Sequence, residues 1–529
     1  MGIKRYTADA DTTITNAYRS NLTTRGTGSN MGRADSMAIF SIYGQESSGS
    51  TELSRTLVNF PIGTVTADRA SGVLPASGSV SFYMRMFNAV TPYTVPRDFL
   101  VQVAAVSGTS WPANFSWQEG NGIDMEGYTD VTRNGIGANW INAGSSSTNG
   151  TITWQNVGGD YFTDASSSFT ARFLNGTEDL EIDITSLVEQ WVNSSGNVLG
   201  SKTNYGVGVH LTPAYEAYFS SSSGADSGSV PNNTGGSRRS YYTKKFFARS
   251  SEFFFKRPLL EARWNSATKD DRGNFYYSSS LLTAEENLHT LYLYNYFAGQ
   301  LRNIPDIGAG NIYLTLHSGS GDNSSPAATR LLPVPDGTHV MPHTPTVVTG
   351  GCVSTGIYSA SFALTASSSP LTHIFDVWQS GSMEYHTGTV EPTVLRIGAE
   401  APSTTFVSSI TNLKPVYKSS ETARFRVYTR QRDWQPNIYT RAVATVKPFI
   451  VDSGSFAVSR VIDALDAVQF GTGSDLHTQM SFDVSGSYFD LDMSLLETGY
   501  AYKINLAYYN GSIGDWQEQP QEFKFRVEE

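Results

Sequence analysis

Few residues in this 529-residue sequence have the types and spacing that chemistry requires. His339 and His343 stand four apart, which on a helix would put two imidazoles on one face, but Pro342 between them breaks any regular helix. A plain exposed loop is expected there. Cys352, the single cysteine, follows Gly350-Gly351 without a flanking nucleophile signature and reads as a small buried hydrophobe. No Gly-x-Ser-x-Gly elbow, His-Glu-x-x-His pair or phosphate-cradling loop occurs. Asp9 with Asp11, and Asp490 with Asp492, each place two carboxylates on one strand face, about 6.6 Å apart and within the range glycosidases use. Any solvated strand face offers that spacing, so a solvated face is the expectation. No catalytic residue, metal ligand or cofactor site follows, and a non-enzymatic chain is expected.

Two other groupings point to binding. Between 238 and 257 the basic residues Arg238, Arg239, Lys244, Lys245, Arg249, Lys256 and Arg257 interleave with Tyr241, Tyr242 and five phenylalanines. Such a mixture can stack on bases and neutralise phosphates. The whole chain, however, carries 37 basic and 48 acidic side chains, a formal charge of −11, and is repelled by phosphate backbones. A contact with an acidic neighbouring subunit fits better, made by Phe246, Phe247, Phe253, Phe254 and Phe255 with Arg249, Lys256 and Arg257 at its rim. Adjacent strand residues point to opposite faces, so this run needs cover on both sides. The second grouping is Trp111, Trp117, Trp140 and Trp154. Exposed tryptophans stack on sugars, and burial would remove that use.

Strands must position these residues. Hydrophobic residues make up 39%, charged residues 16% and aromatics 12%, with 48 glycines, a composition of sheet formers and turns rather than helix formers. Period-two alternation recurs throughout: Val80, Phe82, Met84 and Met86 share a face, as do Leu260, Ala262 and Trp264, Phe425 and Val427, and Phe523, Phe525 and Val527. Each reads as a half-buried antiparallel strand. One short helix should follow the strand Leu180, Ile182, Ile184, opened by a capping box at Ser186 and Glu189 and turning Leu187, Val188, Trp191 and Val192 to the core. A second helix is expected at Thr283 to His289, with Glu285 and Glu286 in its first turn. The fold class is therefore all-β, several antiparallel β-sandwich domains of jelly-roll or immunoglobulin-like type with few short helices.

At about 150 residues per domain, the length suits three or four. Polar stretches at 265–273 and 398–403 predict three: 1–265, 266–400 and 401–529. No fixed-period repeat is visible, which argues against a solenoid or propeller. The N-terminus lacks the apolar stretch of a secretory signal, and no run of about 18 apolar residues occurs. Synthesis as a soluble cytoplasmic product without membrane contact is expected.

Two resemblances sharpen the expectation. The order Ala8-Asp9-Ala10-Asp11-Thr12-Thr13-Ile14, Arg55-Thr56-Leu57-Val58-Asn59-Phe60, Trp117-Gln118-Glu119-Gly120, the strand-helix unit Ile182 to Trp191 and Asn204-Tyr205-Gly206-Val207-Gly208-Val209 resembles the DNRLRE-type β-sandwich modules, relatives of carbohydrate-binding jelly rolls. It departs from them by an insertion from Tyr215 to Phe247. The stretches Tyr241 to Arg249, Phe253 to Pro258, Lys269 to Tyr277, Leu291 to Tyr296 and Asp490 to Glu497 resemble virion structural proteins of marine tailed bacteriophages, especially contractile-tailed cyanophages. That resemblance implies a component of the virion, made in the host cytoplasm and partnered by other virion proteins or further copies of itself. It leaves head, neck, tail and fibre open. The rival reading is an adhesin that contacts a host glycan through the N-terminal module, and a depolymerase lacks a recognisable catalytic pair.

Overall fold

The computed structural model describes residues 1–44, 50–92, 94–123, 137–194, 197–222, 228–338, 346–366, 371–393, 406–432, 438, 449–511 and 513–529. The protein is mostly β, with several antiparallel sheets and few short helices among the described residues. It divides into two compact units, Gly2–Asn265, and Ser266–Glu529 together with Met1.

The elements of the first unit are β1 (Ile3–Thr7), β2 (Ala10–Thr15), β3 (Ser36–Ile42), β4 (Glu52–Asn59), α1 (Ile62–Ala70), β5 (Ser81–Met86), β6 (Phe99–Ala105), β7 (Asn142–Ser146), β8 (Gly150–Thr153), β9 (Ser168–Phe173), β10 (Leu180–Asp183), α2 (Thr185–Val192), β11 (Val207–Leu211), β12 (Tyr241–Phe247) and β13 (Leu259–Arg263). They pair into a four-stranded sheet, β1-β13-β5-β10, and a seven-stranded sheet, β12-β3-β4-β11-β6-β9 with β2 also on β4. Alternation builds the core between them. Phe82, Met84 and Met86 line the smaller sheet, and Val58, Val101, Val103, Val207 and Val209 the larger. Trp191 of α2 joins this core with Leu187 and Val188.

The far face of the larger sheet is apolar too. Ile14, Leu53 and Leu57 pack there against Trp111, Trp117, Trp140 and Trp154, so β4 and β11 are buried almost along their whole length. The insertion after Tyr215 is anchored rather than loose, because Glu216 takes two hydrogen bonds from the buried Arg55 guanidinium and Phe219 and Val230 are buried.

Local signals yield to tertiary contacts in three places. The capping box expected at Ser186 does not form: the N-cap is Ile184, two residues earlier, Ser186 donates to the Ser166 carbonyl, and Glu189 pairs at 2.7 Å with Arg69 of α1. α1 itself is unannounced in the sequence, since Gly63, Thr64 and Thr66 are weak helix formers and only Ile62 and Val65 bury. β13 is buried on both faces instead of one, because Glu261 and Arg263 interlock with Arg5, Arg85 and Glu181. Burial alone would raise the Glu261 pKa, but the Arg5, Arg85 and Arg263 charges prevail and hold its carboxyl well below the usual range.

In the second unit, a seven-stranded antiparallel sheet includes strands Asn311–Gly319, Val348–Ser354, Ile357–Phe362 and Ile374–Ser380 and carries a core of Leu291, Ile312, Leu314, Tyr358 and Trp378. A four-stranded sheet containing Thr422–Gln431 and Gly486–Asp492 then faces a five-stranded sheet containing Gly454–Arg460, Ala501–Asn510 and Asp515–Glu528. Phe456 and Phe489, one from each, stack with centroids 3.9 Å apart. The helix Ala284–Asn287 is closed by a capping box between Thr283 and Glu286.

Residues 266–273, the polar stretch that opens the next domain in the sequence reading, are built into this second unit. The Thr268 N–H donates to the Ser481 hydroxyl and the Asp270 N–H to the Phe482 carbonyl. Arg272 grips the fully buried Asp376 through two 2.6 Å hydrogen bonds, and the Trp378 indole donates to the same carboxylate. The expected boundary at 398–403 lies outside the described residues, as do His339 and His343. Arg272→Leu would strand the buried Asp376 carboxylate without its cation, at an expected cost of about 3 to 5 kcal/mol. Urea titration of the full chain measures this, and a midpoint equal to wild type would mean that the segment is only loosely held.

Candidate functional site

The aromatic and basic run begins on β12, which forms one edge of the seven-stranded sheet. Its tyrosines, threonine and phenylalanines are strand formers, and lysine is a residue that edges tolerate. β12 pairs with β3 on one side only. On the other, the Ala89 N–H donates to the Lys245 carbonyl and the Phe247 N–H to the Phe87 carbonyl. Lys244 is buried, and its ammonium donates to Asn88 Oδ1, the Gly176 carbonyl and the Glu178 carbonyl at 2.7 to 3.1 Å. Desolvation pulls its pKa down to about 8.

Beyond the strand, the chain is seized at Arg249. Its backbone N–H donates to Asp11 Oδ2 at 2.5 Å, while Nε and Nη2 grip both oxygens of Glu119 at 3.0 and 2.7 Å. Glu119 Oε1 also accepts from the Asp11 N–H, so one carboxylate holds two distant segments. Burial pushes the Asp11 carboxyl up to about 7 against the Arg249 N–H, and Glu119 adds repulsion. Burial raises Asp9 as well.

The loop from 250 to 258 is then displayed. Arg257 Nε and Nη2 both donate to the Ser251 carbonyl, closing a turn with a 3-10 segment at Phe254–Lys256, and the Ala8 N–H donates to the Pro258 carbonyl. Phe253 is 48% exposed and Phe254 56%. Phe247 and Phe253 meet edge to face at 5.4 Å under the Lys256 ammonium, and Phe254 meets Phe255 at 5.4 Å with the Arg257 guanidinium 5.3 Å from the Phe254 ring. Among the described residues Arg257 has no carboxylate at salt-bridge distance. The arrangement is an open aromatic face with the Arg257 guanidinium beside it.

Two members of the expected contact do not belong to it. Phe246 lies fully buried in the sandwich core with Lys244 beside it, because β12 sends alternate side chains inward. Arg249 is not a rim charge: Glu119 neutralises it within the unit. The pair Asp9 and Asp11 is likewise no solvated face, since Asp11 is buried under Arg249. The four tryptophans are all buried, and Trp117, Trp140 and Trp154 spend their indole N–H groups on the Tyr205, Ser229 and Asn139 carbonyls, so none is offered to a sugar. Cys352 is half-buried, its thiol donating to the Ser354 carbonyl, rather than fully buried. Asp490 pairs with Arg424, and Asp492 caps the turn at Ser494, so these two carboxylates do not act as a pair. Among the described residues no group of His, Cys, Asp and Glu could hold a metal ion, and no helix is long and apolar enough to cross a membrane.

No protein-family model matches the sequence, and no curated protein does either. Several solved structures align with the fold, two of which are as follows. One is the N-terminal Ig1-2 module of the Drosophila receptor protein tyrosine phosphatase DLAR, 8% identical over 46% of this chain and 91% of that chain, with a TM-score of 0.13. The other is Salmonella alpha-2-macroglobulin reacted with methylamine, 8% identical over 99% of this chain and 34% of that chain, with a TM-score of 0.14. At such scores neither likeness informs function.

Asp11 carries a pH signature. Its pKa rises from 3.8 in the unfolded chain to about 7 in the fold, so its stabilising contribution is complete below about pH 4 and fades as pH climbs through 7. Asp11→Asn keeps an acceptor for the Arg249 N–H but does not titrate. The stability of this variant relative to wild type should therefore rise between pH 4 and pH 7, as read from denaturant midpoints across that range. Parallel curves would contradict the assignment.

Proposed function

We propose that the chain is a non-enzymatic structural component of a tailed bacteriophage virion, present in many copies and packed side by side. The sequence stretches that resemble phage structural proteins favour it, and the open face of Phe253, Phe254, Lys256 and Arg257 is the observation that carries it. Aromatic rings and an arginine on a preorganised base are the residue types that dominate interface energetics. The occupant that fits is a second copy of this chain: a net charge of −11 leaves its surface acidic and complementary to Arg257. Nucleic acid fits less well, because the same net charge repels it.

The tryptophan basis for a sugar-binding N-terminal module is gone, since all four rings are internal. The structural reading makes two linked demands. Salt-washed virions of the encoding phage should contain the chain in stoichiometric amount by quantitative mass spectrometry. A Phe253→Ser, Phe254→Ser double variant should fold and melt like wild type, because both rings are exposed, yet compete about thirtyfold less well for incorporation, the equivalent of about 2 kcal/mol at a hot spot. Incorporation at the wild-type level would overturn the contact, and absence of the chain from virions would overturn the reading itself.

A further inference from the structure

The second unit contains a cavity of about 160 Å³ that the assembly reading does not use. One wall is the outer face of the four-stranded sheet. There, side chains two apart on a strand project together, and the register sets Arg424 opposite Asp490 and Arg426 opposite Tyr488. Arg424 Nε and Nη2 meet the two oxygens of Asp490 at 2.8 and 2.9 Å, and the guanidinium lies 4.5 Å from the Tyr488 ring centroid. The pair is half-open to solvent and uses only one edge of the guanidinium, leaving Nη1 outside it. The opposite wall comes from strand His289–Tyr294 and the hairpin Tyr296–Phe297 with Gln300–Leu301. Tyr294 and Tyr488 both line the cavity, and Tyr296, 60% exposed, lines it as well.

We propose that this cavity binds one ring of a neutral saccharide. Three observations select that chemistry. Arg424 and Asp490 cancel each other's charge, which disfavours an anion. Arg424 and Asp490 also form a planar array of donors and acceptors, as vicinal hydroxyls require, and Ser481 and Gln479 add polar groups to the lining. Tyr296 supplies an accessible aromatic face for the C–H side of a pyranose ring. The volume equals that of about five liquid waters, the bulk of one sugar ring and below the roughly 300 Å³ at which pockets for drug-sized ligands begin.

The test is saturation-transfer NMR on the full chain with D-glucose, D-galactose and D-mannose as probes and inorganic phosphate as competitor. At least one hexose should saturate with a dissociation constant on the order of millimolar, unaffected by phosphate, and Tyr296→Ala and Asp490→Asn should each weaken it about tenfold or more. Tyr296 lies in an exposed hairpin, so its variant reports on binding even if the Asp490 variant folds poorly. No saturation by any of the three sugars, equal binding by the folded Tyr296 variant, or displacement by phosphate would each overturn the site. Because the readout is independent of virion incorporation, it can fail while the structural reading stands, and the reverse.

Discussion

The grip of Asp11 and Glu119 on Arg249 is the interaction on which the display of the first unit rests. Strand β12 leaves the larger sheet and β13 enters the smaller one, and the chain between them must cross from one layer of the sandwich to the other. The Arg249 backbone is bound by Asp11, in β2, and its guanidinium by Glu119, which is itself tied to the Asp11 N–H. Three segments far apart in sequence are thereby pinned to one point. With that end held by Arg249 and the other by the Ala8 hydrogen bond to Pro258, the intervening loop shows its phenylalanines outward instead of collapsing them onto the sheet.

The cost of this arrangement is a buried carboxyl whose proton is retained to about pH 7. The opposite design holds β13 in place. There Glu261 is surrounded by three arginines, and its charge is favoured rather than suppressed. One unit thus contains both ways of accommodating a buried acid, protonation under weak compensation and ionisation under strong compensation. In the second unit the Arg272 hydrogen bonds to Asp376 fasten residues 266–273 to a sheet more than a hundred positions away in sequence.

Strand character was legible because it is local. The alternation of Val80, Phe82, Met84 and Met86 or of Phe425 and Val427 names the core face directly, and Trp191 was placed correctly by helical spacing alone. What escaped was everything decided by a partner distant in sequence. Arg249 reads as a free rim charge until Asp11, 238 residues earlier, is beside it. Glu189 reads as half of a local cap until Arg69 competes for it. The four tryptophans read as sugar platforms because composition cannot reveal that the larger sheet is covered on both faces. The pocket at Arg424 and Tyr296 was illegible for the same reason, since its walls come from strands separated by more than a hundred residues and its polar residues belong to no motif.

The loop that Arg249 holds open gives the chain a surface suited to repeated contact between copies, and the buried acids and double-sided sheet beneath it keep that surface in one shape. A cryo-EM map of the intact particle at side-chain resolution tests this most directly. The account predicts that Phe253 and Phe254 of each copy lie buried against an acidic surface of the next, with Lys256 and Arg257 at the border. A map in which these four side chains face solvent in every copy would contradict it.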